Sequence, residues 1–187
     1  GLAAFVERVA RRATASDRII FRIKTFGGRV DAAVRIKDAI LETPATTVIY
    51  IDGRAISAGA LISLSCDTIL MSPGASIGAA TPVQGGGATG EMKPTSEKVV
   101  SYMRAEMRAT AEATGRRADL AEAMVDADIE VKDVIAKGKL LTLTSQKAVE
   151  LKLADAIIDS YADAKVALNL EQATLVKTET HWAEKLA

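Results

Sequence analysis

The sequence predicts a single α/β domain spanning residues 1–187, and three observations carry that reading. Between Arg18 and Met71, short apolar runs alternate with stretches of helical spacing in the order strand, helix, strand, helix, strand; right-handed crossovers onto a sheet produce that order. The run Thr47-Val-Ile-Tyr-Ile51 is continuously apolar rather than alternating, as a parallel strand covered on both faces requires. With 187 residues, of which 49% are hydrophobic, the chain can bury one substantial core, and its length demands no second domain.

The elements follow in order. Leu2 to Arg12 is amphipathic, and Arg18-Ile-Ile-Phe-Arg-Ile23 is a strand of β-branched and aromatic residues running into Gly27-Gly28. Val30, Ala33, Val34, Lys37 and Leu41 recur at three- and four-residue spacing, which predicts a helix closed by Thr43-Pro44. Thr47 to Ile51 then leads through Asp52-Gly53 to Ser57, and a buried helix is expected from Ser57 to Leu64. Thr68 to Met71 is a third strand, turned by Ser72-Pro73-Gly74. Thr81 to Pro94, glycine-rich and poor in apolar residues, is expected to be a mobile lid. Thr95 or Ser96 can cap a long helix that runs to about Thr114 and stops at Gly115, with a short helix over Asp119 to Val125. Leu140 to Ile158 reads as strand, helix capped by Thr144 or Ser145, and strand; beyond Asp159 the tail is charged and weakly patterned. The core is thus expected over about 18–158, with 159–187 as an extension.

Charge and composition narrow the function classes. Twenty-four basic residues balance twenty-four acidic ones, so no net field draws the chain to nucleic acid, and no nucleic-acid partner is expected. Cys66 is the only cysteine, which rules out an intramolecular disulfide and leaves the compartment open. No apolar run approaches the roughly 20 residues of a membrane span, and the chain opens on Gly1 rather than Met, as an excised fragment would.

Asp52-Gly-Arg-Ala-Ile-Ser57-Ala58-Gly59-Ala60 places a serine where a strand gives way to a helix through small residues. Free N–H groups and the positive end of the helix macrodipole there favour a developing alkoxide or oxyanion. On Ser-Ala-Gly alone a plain N-cap serine is the commoner explanation. A possible companion is Gly27-Gly28, whose backbone N–H could face the same point as that of Ala58; its bland reading is an ordinary strand-to-helix turn.

Taken together, Gly27-Gly28, Ala55-Ile-Ser-Ala-Gly59, Ser72-Pro-Gly-Ala-Ser-Ile-Gly78 and the block from Leu141 to Asp155 resemble the NfeD-type membrane-associated serine peptidases, relatives of Clp protease, signal peptide peptidase A and the crotonases. The resemblance covers roughly Arg18 to Ile158 and implies a Clp/crotonase-like fold of repeated strand-strand-helix units with a mostly parallel sheet. It implies Ser57 as nucleophile, Gly28 and Ala58 as oxyanion donors, and a lysine base after the lid, which falls on Lys98 with Tyr102 following. A lysine base must be neutral to accept a proton, so it needs burial or a nearby cation; a closing lid would bury it. The only histidine, His181, lies in the tail beside Trp182, and a Clp-type histidine would fall near Pro82. Lys93, beside Pro94 within the lid, is a less well held competitor for the base.

The resemblance further implies a peptide substrate with an apolar segment, such as a stomatin-like protein, and a homodimer that builds the cleft. It also implies membrane attachment through segments absent from this chain, with the domain outside the cytoplasm. Two departures stand out: relatives carry Asp-Thr-Pro-Gly-Gly where this chain has Lys24-Thr-Phe26-Gly-Gly28, so Phe26 is expected to change the floor of the substrate site and Lys24 to remove a structural carboxylate. Two other classes stay in view: crotonase-type acyl-CoA chemistry, in which the serine would be idle, and a non-catalytic scaffold that binds an extended peptide. Among the remaining residues, Cys66 reads as a small buried side chain, Met103 and Met107 as core or dimer-face packing, and Arg116-Arg117 as a solvated helix junction. Asp126 and Asp128 lack the further ligands of a metal site; no metal and no organic cofactor are expected.

Overall fold

The computed structural model describes residues 1–85, 92–176 and 178. Its centre is a six-stranded sheet arranged around one long strand. β2 (Thr46–Ile56) pairs in parallel with β1 (Arg18–Thr25), with β3 (Thr68–Met71) through Val48 to Ile51, and with β4 (Ser76–Gly78) through Arg54 to Ile56. β8 (Ala156–Ile157) adds in parallel beside β3, and β7 (Thr142–Thr144) closes the other end antiparallel to β4. The mostly parallel sheet agrees with the one the resemblance implies. β2 does not stop at Asp52-Gly53. It bulges there, advancing from Ile51 to Ala55 while β1 advances only from Ile23 to Thr25. Gly53 takes φ 92°, which a glycine adopts without a Cβ penalty, and its N–H donates to Ser72 Oγ at 3.0 Å.

Helices α2 (Val30–Glu42) and α3 (Ala58–Leu64) supply the crossovers, with α1 (Leu2–Arg12), α4 (Glu97–Ala113), α5 (Ala118–Ala123) and α6 (Ser145–Glu150) around them. The large core joins Ile49 and Ile51 of β2 to Leu61 and Leu64 of α3 and Met103 and Met107 of α4, all buried. α2 buries Ala33, Ile36 and Ile40, a stripe rotated from the predicted one; Leu41 is exposed. Lys37, a member of the predicted stripe, keeps its stem in the protein while its ammonium reaches Glu106 of α4 at 2.9 Å.

The opposite sheet face explains the continuous apolar run of β2. Val48 and Tyr50 point there and form a second small core with Leu70 and Ala164. Ala164 belongs to α7 (Tyr161–Ala167), a helix in the segment that sequence patterning leaves weakly structured. Docking rather than periodicity holds it. The Ser160 hydroxyl caps its first turn, the Tyr161 ring sits 5.9 Å from that of Tyr50, and Arg18 donates to Leu168 O at 2.7 Å. Part of the expected lid is also regular: β5 (Val83–Gly85) pairs antiparallel with β6 (Met92–Pro94), while residues 86–91 lie outside the described residues. Ser96 is the N-cap residue of α4, without a capping side-chain bond, and α6 is capped by Thr144, which accepts from the Lys147 N–H.

Candidate active site

Ser57 sits at the end of β2 as the N-cap residue of α3, with φ 57° and ψ −121°. A side-chain-bearing residue holds such angles at a cost on the order of 1–3 kcal/mol, and only where its surroundings over-determine it. They do so here. The Ser57 N–H donates to Gly78 O at 3.0 Å, and Ser57 O accepts from the Ala60 N–H at 2.9 Å. Gly78, at φ 139°, is itself pressed against the following segment: a Cβ there would stand 2.5 Å from Leu141 O. On the other side, Gly27 (φ 132°) touches the serine so closely that a Cβ would lie 2.7 Å from Ser57 Cβ and 3.1 Å from its Oγ. Gly59 lets α3 meet β1, since a Cβ there would come within 2.6 Å of Thr25 Cγ2.

The glycine turn is locked by Thr25, whose Oγ1 accepts from the Gly27 N–H at 3.0 Å and donates to Gly27 O at 3.1 Å. Gly28 follows, and a Cβ on it would lie 4.0 Å from Ala58 Cβ. Gly28 and Ala58 are therefore neighbours beside Ser57. Among the described residues neither of their N–H groups meets an acceptor; for Ala58 that follows from its place in the first turn of α3. The strand-to-helix step thus sets a half-buried Ser57 beside two residues whose backbone N–H groups meet no acceptor among the described residues.

Lys98 lies in the first turn of α4 and is exposed. No hydrogen bond joins it to Ser57 among the described residues, so the structure does not close a dyad within the isolated chain, and the burial that a lysine base needs is not in place. Tyr102, one turn on, is half exposed; burial of its ring edge and then the Glu106 carboxylate push its hydroxyl above the ordinary tyrosine value. The Lys93 side chain, His181 and Trp182 lie outside the described residues.

Other residues fall into place structurally. Cys66 is buried, and burial pushes its thiol up to about 12, far from a reactive thiolate. Met103 and Met107 are core. Asp126 takes Arg104 and the Asp128 N–H, and among the described residues no group of three or more His, Cys, Asp or Glu is arranged to hold a metal. One expectation is corrected. Arg116 is not solvated: its side chain is only 6% exposed and donates to Leu153 O, Asp67 O, Thr114 O and Asp155 Oδ2. Its neighbour Arg117 does lie at the surface, paired with Asp119. Phe26, one of the two departures from the family pattern, lies at the surface. It is 75% exposed beyond the end of β1, with the Arg54 guanidinium 4.3 Å over its ring.

Residues 1–178 match the NfeD1b N-terminal domain family. The chain belongs to that family. The membrane protein NfeD1b of Bacillus subtilis is 37% identical over 190 residues, covering 100% of this chain and 42% of the relative. The membrane-bound protease PH1510 of Pyrococcus horikoshii is 33% identical over 119 residues, 62% of this chain and 27% of that protein. The chain thus spans less than half the length of the curated relatives it matches. Among solved structures, the 1510-N membrane-bound stomatin-specific protease, a lysine-to-alanine variant in complex with a substrate peptide, superposes with a TM-score of 0.76 at 23% identity, covering 99% of this chain and 87% of that one. A serine-to-alanine variant of 1510-N gives 0.73 at 26% identity over 87% and 75%. ClpP1 from Listeria monocytogenes gives 0.60 at 21% identity over 87% and 86%, which places the NfeD1b domain in the Clp-like fold. No helix among the described residues is long and apolar enough to cross a membrane.

Proposed function

We propose that this NfeD1b domain is a serine endopeptidase that cleaves apolar segments of membrane-associated, stomatin-like proteins through an acyl-enzyme. The observation that carries the reading is the Ser57 turn, a strained hydroxyl wedged between Gly27 and Gly78 with the free N–H groups of Gly28 and Ala58 beside it. In this mechanism neutral Lys98 accepts the Ser57 proton and Oγ attacks the peptide carbonyl carbon. Gly28 and Ala58 donate to the tetrahedral oxyanion, the amine leaves, and water releases the acyl group. The relatives support the residue types: the stomatin-specific protease 1510-N was solved as a lysine-to-alanine and as a serine-to-alanine variant. Lys98 is exposed in the isolated chain, so substrate lying across the site, or a second copy in a homodimer, supplies the cover that makes a lysine base chemically possible. Membrane attachment then comes from segments beyond this domain, as the membrane-bound relatives suggest. Acyl-CoA chemistry would use the same donor pair but leave the strained serine idle.

Mass spectrometry of an apolar stomatin-type peptide incubated with the parent protein, Ser57→Ala and Lys98→Ala tests the reading. Cleavage by the parent alone is expected. Equal cleavage by either variant overturns the dyad, and an intact peptide with all three folded proteins overturns the peptidase.

A further inference from the structure

The end of β1 and the bulge of β2 bring three side chains to the sheet face opposite α3. Alternation along the strands sets that face. Thr25 and Ala55 both point at α3, where a Cβ on Gly59 would meet Thr25 Cγ2 at 2.6 Å and Ala55 Cβ at 3.5 Å; Lys24, Phe26 and Arg54 therefore project from the other side. Lower on that face the sheet is covered by α7, but these three residues stand above the covered part. The Arg54 guanidinium carbon is 4.3 Å over the Phe26 ring, and Lys24 Cε would lie 3.7 Å from a Cβ on Gly53, next to Arg54 in sequence.

Charge pairing separates these cations from their neighbours. Arg22 is bound by Asp52 and Arg29 by Asp31, whereas neither Lys24 nor Arg54 has a carboxylate partner among the described residues. Phe26 directly precedes Gly27, which touches Ser57. An extended peptide advances about 3.3 Å per residue, so the residues next to a carbonyl held at Ser57 are the ones whose side chains can meet a shelf that begins one residue before Gly27.

We propose that Lys24, Phe26 and Arg54 form a substrate subsite beside Ser57 that takes an acidic side chain of the bound peptide. The assignment rests on the peptidase reading. A guanidinium lying flat on a ring keeps its edge N–H groups free for two parallel bonds to a carboxylate, Lys24 adds a second positive charge, and the Phe26 ring takes the aliphatic stem. Exposed charge pairs are individually weak, so two of them favour glutamate over glutamine by about fivefold.

The test scans a single Glu or Gln through the residues flanking the centre of an apolar peptide. Affinity is read by fluorescence anisotropy on Ser57→Ala, and cleavage by mass spectrometry on the parent. At one position Glu is expected to bind about fivefold tighter than Gln, with the ratio falling toward one at high salt and in Lys24→Gln and Arg54→Gln made on the Ser57→Ala background. Equal binding of Glu and Gln peptides at every position, or a ratio that both substitutions leave unchanged, overturns the subsite. Cleavage without any Glu preference sinks the subsite and keeps the peptidase. A Glu preference in binding without cleavage sinks the peptidase and keeps the subsite, and neither binding nor cleavage sinks both.

Discussion

The two halves of the candidate site are built differently. On the Ser57 side every backbone angle is dictated by neighbours: Gly27 against the serine, Gly78 O on its N–H, Gly59 against Thr25. On the Lys98 side, the lysine leaves the first turn of α4 into solvent just after the β5–β6 hairpin, and no bond ties it to Ser57 among the described residues. The difference teaches that the Ser57 turn, with Gly28 and Ala58 beside it, is preorganised within the single chain, whereas the role proposed for Lys98 has to be completed by something added to it.

Breaking the preorganised half should have the largest effect. Gly27→Ala inserts a methyl 2.7 Å from Ser57 Cβ at a φ of 132°, and displacements of about 1 Å at a reacting group lower rates on the order of 10²-fold. Peptide cleavage is expected to fall at least that far, with a loss of about 1–3 kcal/mol in urea unfolding; unimpaired cleavage would show that the serine turn has slack. A smaller effect separates the halves by stability alone. Ser57→Gly removes the side chain from its left-handed conformation and should stabilise by about 1 kcal/mol, read as a Tm higher by roughly 2–4 °C. Lys98→Ala should stay within about 0.5 kcal/mol of the parent. A Lys98→Ala variant as destabilised as a core substitution would erase the contrast.

The smallest effect probes the helix that follows the glycine turn. Hydrogen bonds from Arg29 hold the Asp31 carboxyl down to about 2, at the start of α2. Because the folded value lies below the unfolded one, this contribution is present above about pH 4 and is lost as pH falls toward 2. The Tm gap between the parent and Asp31→Asn should therefore be visible at neutral pH and close by about pH 2. A gap that persists there would assign the difference to helix packing instead.

Legibility in the sequence follows the same division. α1 and β3 appear within the bounds that periodicity sets, Leu2–Arg12 and Thr68–Met71, because each carries its own pattern. β4 is too short to have a pattern and exists through pairing with Arg54 to Ile56, whereas the strand expected at the end of the Leu140 to Ile158 block forms as β8 beside Leu70 and Met71. α7 is defined by what it covers, Val48 and Tyr50, and the face that α2 buries, Ala33, Ile36 and Ile40, is set by its neighbours in the fold rather than by its own spacing. At the site, the small residues around Ser57 signal a close approach. That Gly27 touches the serine and Gly78 holds its N–H is not legible in either segment alone, since both contacts depend on how β1, β2 and β4 align. The burial of Arg116 is not legible for a related reason: its four acceptors come from three separate stretches of chain.

The Gly78 carbonyl that fixes Ser57 has a consequence for timing. Residues 27, 57, 78 and 141 must all be in place before the serine adopts its angles, and contacts of such sequence separation form late because loop closure has to come first. A partly synthesised or partly unfolded chain therefore displays an ordinary serine in an ordinary turn. The geometry on which the proposed chemistry depends arrives only with the finished fold.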